Sequence, residues 1–355
     1  MTVRRFFVKV HLYTGLATAA FLLVIGLTGT ILSFEPDYDR WVNPALWRVP
    51  RRPRLPEQTL VDTVQRELRD AEGPARVATI ALSGGNVAQV FTLTNGERVF
   101  VDPSTGRVLG ERRGPTRLES FLLDVRVLHT GLVGGERGRL VVDVVTATFV
   151  LVIVPLGIYL WWKRKRATVG WRESWKRVTW DLHNILGLYA GLFLLILAVT
   201  GIFLGYERPL YWLVRAAPVA EEPPPRSTVP DTTHARPGGF RPPLDSLLVT
   251  ADRALSGAAT YEVRLPSRPR SVVQVLKHGP GAGHSTVYLD QYSGRVLRVD
   301  DFSRAPRAYR AHVTDQAIHM GAAFGFPTRL VAALSGLALT SLVLTGVIVW
   351  WRKVV

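Results

Sequence analysis

Lys9-Val10-His11-Leu12-Tyr13-Thr14-Gly15 and Asp181-Leu182-His183-Asn184-Ile185-Leu186-Gly187 open two long apolar stretches of this 355-residue sequence, and each sets a histidine four residues before a glycine. Further along, both stretches carry Thr-Gly, at Thr28-Gly29 and Thr200-Gly201, followed by Glu35 and Glu207. A second matched pair, Leu128-His129-Thr130-Gly131 and Ile318-His319-Met320-Gly321, precedes two further apolar stretches. Those end alike, in Gly157 with Trp161-Trp162 and in Gly346 with Trp350-Trp351. The chain therefore reads as two halves of one design: a helix opened by His, an outer segment, a His-bearing segment, and a helix closed by Trp-Trp.

The four apolar blocks, residues 12–34, 140–162, 182–206 and 330–351, are each about 20 residues long with almost no charge, as a crossing of roughly 30 Å of hydrocarbon demands. Buried helices of a water-soluble core lack these aromatic and basic ends. The first block is too long for a signal peptide, lacks a small-residue exit before Phe34-Glu35-Pro36, and has a near-copy in the third. Lys and Arg gather before the first block (Arg4, Arg5, Lys9), between the second and third (Lys163 to Arg166, Arg172, Lys176, Arg177) and after the fourth (Arg352, Lys353), which makes those segments cytoplasmic. Both halves then share one orientation, as parallel repeats do. The expected fold is an all-α four-helix transmembrane bundle carrying two small α+β outer domains. Its boundaries are 1–34 (first span), 35–139 (outer domain), 140–162 (second span), 163–181 (basic cytoplasmic loop), 182–206 (third span), 207–329 (second outer domain) and 330–355 (fourth span and tail).

Within the outer segments, helical periodicity is expected over 58–71 and 244–255. Strands are expected at 87–93 and 97–101 around Asn95-Gly96, and near 260–265, 271–277 and 285–289. Asp102-Pro103-Ser104-Thr105-Gly106-Arg107-Val108-Leu109 and Asp290-Gln291-Tyr292-Ser293-Gly294-Arg295-Val296-Leu297 read as the same turn into a strand. The Pro-rich run 221–243 reads as an extended linker.

The chain has no Cys, eight His and two Met. Disulfides, thiolate chemistry, cysteine-held clusters and covalently attached haem are therefore excluded. Four of the eight His occupy matched positions. His11 and His183 open spans that run outward, so they belong to the cytoplasmic side; His129 and His319 precede spans that run inward, so they belong to the outer side. An isolated His there reads as an interfacial residue bonded to water or backbone. Four in two symmetric pairs favour ligation, with one ligand from each half at each site. Bis-histidine pairs on facing helices hold b-type haem, so two non-covalent haem b groups are expected; zinc fits less well, because two His leave its shell incomplete. Arg139 and Arg329 near the outer pair, and Arg5, Lys9 and Arg177 near the inner one, are candidates for haem propionates, or equally for anchors at the membrane surface. His312, two helical turns before His319, is a candidate proton donor or substrate contact, or an exposed His. His234, His278 and His284 read as solvated.

Taken together, the His-x-x-x-Gly openings, the His-x-Gly segments, the Trp-Trp-Lys/Arg exits and the Asp-x-x-(Ser/Thr)-Gly-Arg-Val-Leu turns resemble those of PepSY-associated transmembrane-helix proteins of the iron-regulated, PiuB/FoxB-like type. The resemblance covers nearly the whole chain. It implies a bacterial inner-membrane dihaem protein with PepSY-like periplasmic domains, which reduces ferric siderophores arriving in the periplasm. No dinucleotide fingerprint, Walker A motif or flavin domain is present, so a quinol or a partner flavoprotein is the expected electron donor. Two other readings stay open: a quinol-linked cytochrome with another acceptor, and a non-enzymatic PepSY-type envelope-binding or peptidase-regulating protein. The charge of +16, from 44 Lys+Arg against 28 Asp+Glu, marks topology and the outer segments rather than nucleic-acid binding.

Overall fold

The computed structural model describes residues 2–70, 75–162, 168–205, 241–278 and 283–354. In chain order its helices are α1 (Val3–Leu32), α2 (Glu35–Val42), α3 (Pro44–Trp47), α4 (Glu57–Asp70), α5 (Arg117–Gly131), α6 (Gly135–Thr148), α7 (Val154–Trp162), α8 (Trp175–Tyr189), α9 (Gly191–Gly205), α10 (Leu244–Ala254), α11 (Arg307–His319) and α12 (Phe326–Val354). The strands are β1 (Val77–Ala81), β2 (Gln89–Leu93), β3 (Arg98–Val101), β4 (Val108–Arg112), β5 (Ala259–Arg264), β6 (Val273–His278), β7 (His284–Leu289) and β8 (Val296–Asp300). The chain divides into two compact units, one of Met1–Pro36, Arg117–Pro218 and Ala311–Val355, the other of Asp37–Thr116 and Val219–Arg310.

The first unit holds the apolar helices. Among the described residues three are long and apolar enough to cross a membrane: Val3–Leu32, Gly135–Trp162 and Phe326–Trp351. The middle one is α6 and α7 joined by a π-helical turn, Phe149–Ile153. A fourth candidate is a bent pair, α8 and α9, which meet at 56°. The bend falls at Ala190-Gly191, where the second helix starts on a residue without a side chain to fill the corner. α1 and α12 cross closely because glycines face each other there. A Cβ on Gly26 would stand 3.0 Å from the Gly336 carbonyl oxygen, and one on Gly336 would stand 2.7 Å from the Gly26 carbonyl. Such close backbone approach is how helices gain packing energy in lipid, where no hydrophobic effect drives them together.

The second unit is one antiparallel sheet in the order β4-β3-β2-β1-β5-β6-β7-β8. Each half contributes four strands, and the halves join where β1 pairs with β5, Thr79 opposite Arg264, Ile80 opposite Val263 and Ala81 opposite Glu262. α4 and α10 pack on the sheet through Leu60, Val64, Leu244 and Leu247, against Ile80, Phe91, Val263 and Val275. Their N-termini cap each other: Asp245 accepts from the Glu57 and Gln58 backbone N–H groups at 2.8 and 3.1 Å, and Gln58 accepts from the Leu244 N–H at 2.9 Å. The two Asp-x-x-(Ser/Thr)-Gly turns are alike, with Asp102 and Asp290 accepting backbone N–H groups and Gly106 and Gly294 at φ 75° and 71°.

The expectation of an all-α four-helix transmembrane bundle with two separate α+β domains is corrected by these observations. The strands form a single eight-stranded sheet, because a four-stranded module alone would leave β1 as an open edge, and the matching strand of the other half closes it. The third apolar block is not one straight helix, so three continuous spans are present among the described residues, or four if the bent pair counts as one. The linker expected over 221–243 and Glu207 lie largely outside the described residues.

Gly336→Leu should force α1 and α12 apart. Overpacking at a glycine contact costs about 1–3 kcal/mol, so the detergent-solubilised variant is expected to melt below the wild type in a tryptophan-fluorescence melt. An unchanged melting temperature would mean that this contact does not hold the helices.

Candidate functional site

The four matched histidines come together as two pairs, each with one member from each half. His11 on α1 and His183 on α8 have ring centres 6.4 Å apart, with ring planes at 81°. His129 on α5 and His319 on α11 have ring centres 6.3 Å apart, with planes at 50°. Thr28, which His129 touches, lies 17 residues beyond His11 on the same helix, so the pairs are separated along α1 by roughly 25 Å at 1.5 Å per residue. Between them Leu22, Val145, Phe149, Leu194 and Leu339 pack together and are buried.

His129 and His319 sit on short helices that stop before the spans. After α5, Leu132 and Val133 take φ of 47° and 62°, and Gly135 56°, so the chain reverses tightly into α6. A left-handed conformation is costly for a β-branched residue such as Val133. Arg126, one turn before His129, pairs with Glu35 and ties α5 to the start of α2. In the second half Gly321 (φ 66°) packs against the backbone of Arg329, and Gly325 (φ 71°) precedes α12.

All four rings are seated in one manner. The Cε1 edge of each lies over a glycine of a neighbouring helix: a Cβ would stand 3.4 Å from it at Gly157 (His11), 3.2 Å at Gly29 (His129), 3.3 Å at Gly346 (His183) and 2.9 Å at Gly201 (His319). In each ring Nδ1 is engaged by that same helix. His11 Nδ1 donates to the Ile153 carbonyl at 3.1 Å; the other three lie 2.9 to 3.1 Å from the hydroxyls of Thr28, Thr345 and Thr200. Among the described residues the hydrogen bonds of these rings are all made through Nδ1.

This arrangement would let two imidazoles share one metal ion. One metal ion bonded to a nitrogen of each ring at about 2 Å spaces the ring centres at about 6 Å. Two imidazoles are half a zinc shell, and among the described residues no group of three or more His, Cys, Asp or Glu could hold a metal ion. A macrocycle that brings four donors of its own needs only these two. Room for a flat group exists beside the inner pair, where a cavity is lined by Gly15, Gly187, Trp161, Trp180, Asn184 and Arg4 together with His11 and His183. At Gly15, one turn beyond His11, a Cβ would meet nothing within 4 Å.

The basic residues singled out from the sequence are distributed unevenly. Arg4, two turns before His11, lines the inner cavity, whereas Arg5 and Lys9 are exposed and do not. Arg177 is held by Asp181, its Nε 2.9 Å from a carboxylate oxygen. Arg139 donates to the last carbonyls of α9, Leu204 and Gly205, at 3.2 and 2.8 Å, which is the work of a C-terminal cap. Arg329 is half-buried at the start of α12. His312 is half-buried one turn before Asp315, and its charge acts on that carboxyl. His278 and His284 are exposed and lie on adjacent strands with ring centres 4.6 Å apart, and Tyr261 stacks on His278 at 4.0 Å. His234 lies outside the described residues.

Asp315 was not foreseen. It lies one turn before His319, is buried, and its Oδ2 has no hydrogen-bond partner among the described residues. Aligning His129 with His319 puts Leu122 and Val125, both buried, at the positions of His312 and Asp315. The signal was thus a break in the repeat: two polar residues where the other copy is apolar.

The family model for the PepSY-associated TM region matches residues 8–353. No curated protein matches the chain.

Burial raises the Asp315 carboxyl from its ordinary 3.8 to about 6, against a smaller lowering by His312. Because the folded value exceeds the unfolded one, the carboxyl costs nothing where it is protonated in both states, and stability falls as pH rises through about 6. Asp315→Asn should therefore melt above the wild type at about pH 7.5 and together with it near pH 4. Equal melting at both pH values would show that the carboxylate is not held in this way.

Proposed function

The chain belongs to the PepSY-associated TM region family, and from that membership and its paired histidines we propose that it is a membrane oxidoreductase of the dihaem, b-type cytochrome kind. Its acceptor is the Fe(III) of ferric siderophores. What supports the reading is the spacing of the two imidazole pairs, 6.4 and 6.3 Å between ring centres, with every Nδ1 already engaged.

Haem b, if held between each pair of imidazoles, would supply one-electron Fe(III)/Fe(II) chemistry. The protein's own residues do the rest. His11 and His183 hold the inner group through Nε2, and His129 and His319 the outer one. Gly29, Gly157, Gly201 and Gly346 let the rings seat against the helices. Arg4, in the inner cavity, offers a cation to an acidic edge of the group. Leu22, Phe149, Leu194 and Leu339 keep water from the space between the pairs.

In this reading the basic segments are cytoplasmic, the membrane is the bacterial inner membrane, and the sheet unit faces the periplasm, as the positive-inside rule directs. A quinol or a reduced flavoprotein gives up the electrons, and each electron converts one chelated Fe(III) to Fe(II). The hard oxygen donors of a siderophore bind Fe(II) more weakly, so iron is released.

Detergent-purified protein expressed with ample haem should show the Soret and α bands of low-spin haem b at about two per chain. His11→Ala and His183→Ala should each lose the same group, leaving about one per chain, and His129→Ala and His319→Ala should each lose the other. Stopped-flow re-oxidation of the reduced protein by ferric siderophores, with quinones and oxygen as controls, tests the acceptor. A colourless preparation overturns the redox reading. Fast re-oxidation by quinone alone replaces the siderophore with another acceptor.

A further inference from the structure

The four histidines are seated alike but not bonded alike. Three meet a threonine hydroxyl at Nδ1, and each threonine directly precedes the glycine under the same ring: Thr28-Gly29, Thr200-Gly201 and Thr345-Gly346. Each of those hydroxyls gives its own proton to the carbonyl one turn back, Thr28 to Val24 at 2.6 Å, Thr200 to Ile196 at 2.8 Å and Thr345 to Ser341 at 2.7 Å. A hydroxyl whose proton is committed can only accept at its next contact. Nδ1 must therefore carry the hydrogen in these rings, and Nε2 the lone pair. His319 agrees independently: its Nδ1 also lies 2.9 Å from the Leu197 carbonyl, which can only accept.

The fourth seat departs from this pattern. The residue before Gly157 is Leu156, where the other copy has Thr345 before Gly346. Among the described residues His11 Nδ1 bonds to the Ile153 carbonyl alone, at 3.1 Å. Ile153 stands three residues before Leu156, as Leu197 stands three before Thr200. It is also the last residue of the π-helical turn in the second span, a distortion that concentrates at functional sites.

An acceptor at Nδ1 makes the ligating nitrogen more basic, and a more basic ligand favours the higher charge on the metal. We infer that Leu156 sets the inner site apart from the outer one: by withholding a second acceptor, a hydroxyl, from His11 it leaves that ligand the weakest donor of the four, and so holds the reduction potential of the inner group higher than a threonine there would. Leu156, Thr345, Thr28 and Thr200 are on this account positioning residues that tune the metal through the imidazoles. The inference rests on the haem reading proposed above.

The test is a potentiometric titration of the haem-loaded protein, following the α bands of both groups. Leu156→Thr is expected to lower the inner midpoint, with about a three- to tenfold change in the Fe(III):Fe(II) ratio at fixed potential; tenfold corresponds to about 59 mV for one electron. Thr345→Val, which keeps the shape and removes the hydroxyl, should raise the inner midpoint, and Thr345→Ser should restore it. The outer midpoint should not move in any of the three. Protein prepared without haem gives a second readout: 15N shifts of the imidazoles should report the Nδ1–H tautomer at His129, His183 and His319. Two low-spin haems with midpoints unmoved in both Leu156→Thr and Thr345→Val overturn this inference and leave the haem reading standing. A shift of the opposite sign, or Nε2–H tautomers, overturns it as well. A protein that takes up no haem overturns both.

Discussion

Two imidazoles from different halves of the chain must face one another about 6 Å apart, and this must happen twice, roughly 25 Å apart along one helix. Neither half can meet that requirement alone. Each seat is built within a half: His11 and Gly157, His129 and Gly29, His183 and Gly346, and His319 and Gly201 all pair residues of the same repeat. Each facing pair, by contrast, is built between halves. The halves also meet elsewhere: in the helical unit at the glycine crossing of α1 and α12, and in the sheet unit at the pairing of β1 with β5.

The same logic explains how polar rings are tolerated among apolar helices. A buried donor without a partner is costly in a medium that offers no water. Each Nδ1 is met by a hydroxyl or carbonyl of the adjoining helix, at distances of 2.9 to 3.1 Å. The threonines meet their own needs first, by bonding back to the preceding turn, so they add an acceptor to the helix surface without adding an unsatisfied donor. A glycine after the threonine removes the side chain that would keep the ring at a distance. Thr-Gly is thus a two-residue device for docking an imidazole edge-on against a helix.

Much of this was legible in the sequence. The repeat, the four matched histidines, their pairing as His11 with His183 and His129 with His319, and the helix-breaking glycines between His129 or His319 and the next span could all be read from spacing. The single sheet could not. Its joining strand, β1 at Val77–Ala81, is short and was not anticipated, although its partner β5 was; hydropathy and turn residues describe strands one at a time and say nothing about which copy pairs with which. The break at Ala190-Gly191 escaped for a related reason, since a hydropathy window sums composition and is blind to direction. The role of Thr28 and Thr200 was invisible because the sequence shows the dipeptide but not the ring that lies against it.

Where two halves share a design, the positions at which they differ carry the most information. The copies differ at many positions, and two of the differences fall beside the histidine pairs. Leu156 removes a hydroxyl that the other copy supplies as Thr345, and His312 with Asp315 puts two titratable groups where the other copy has buried Leu122 and Val125. The first difference falls at the His11–His183 pair and the second beside the His129–His319 pair, so in each pair the two members sit in unlike surroundings.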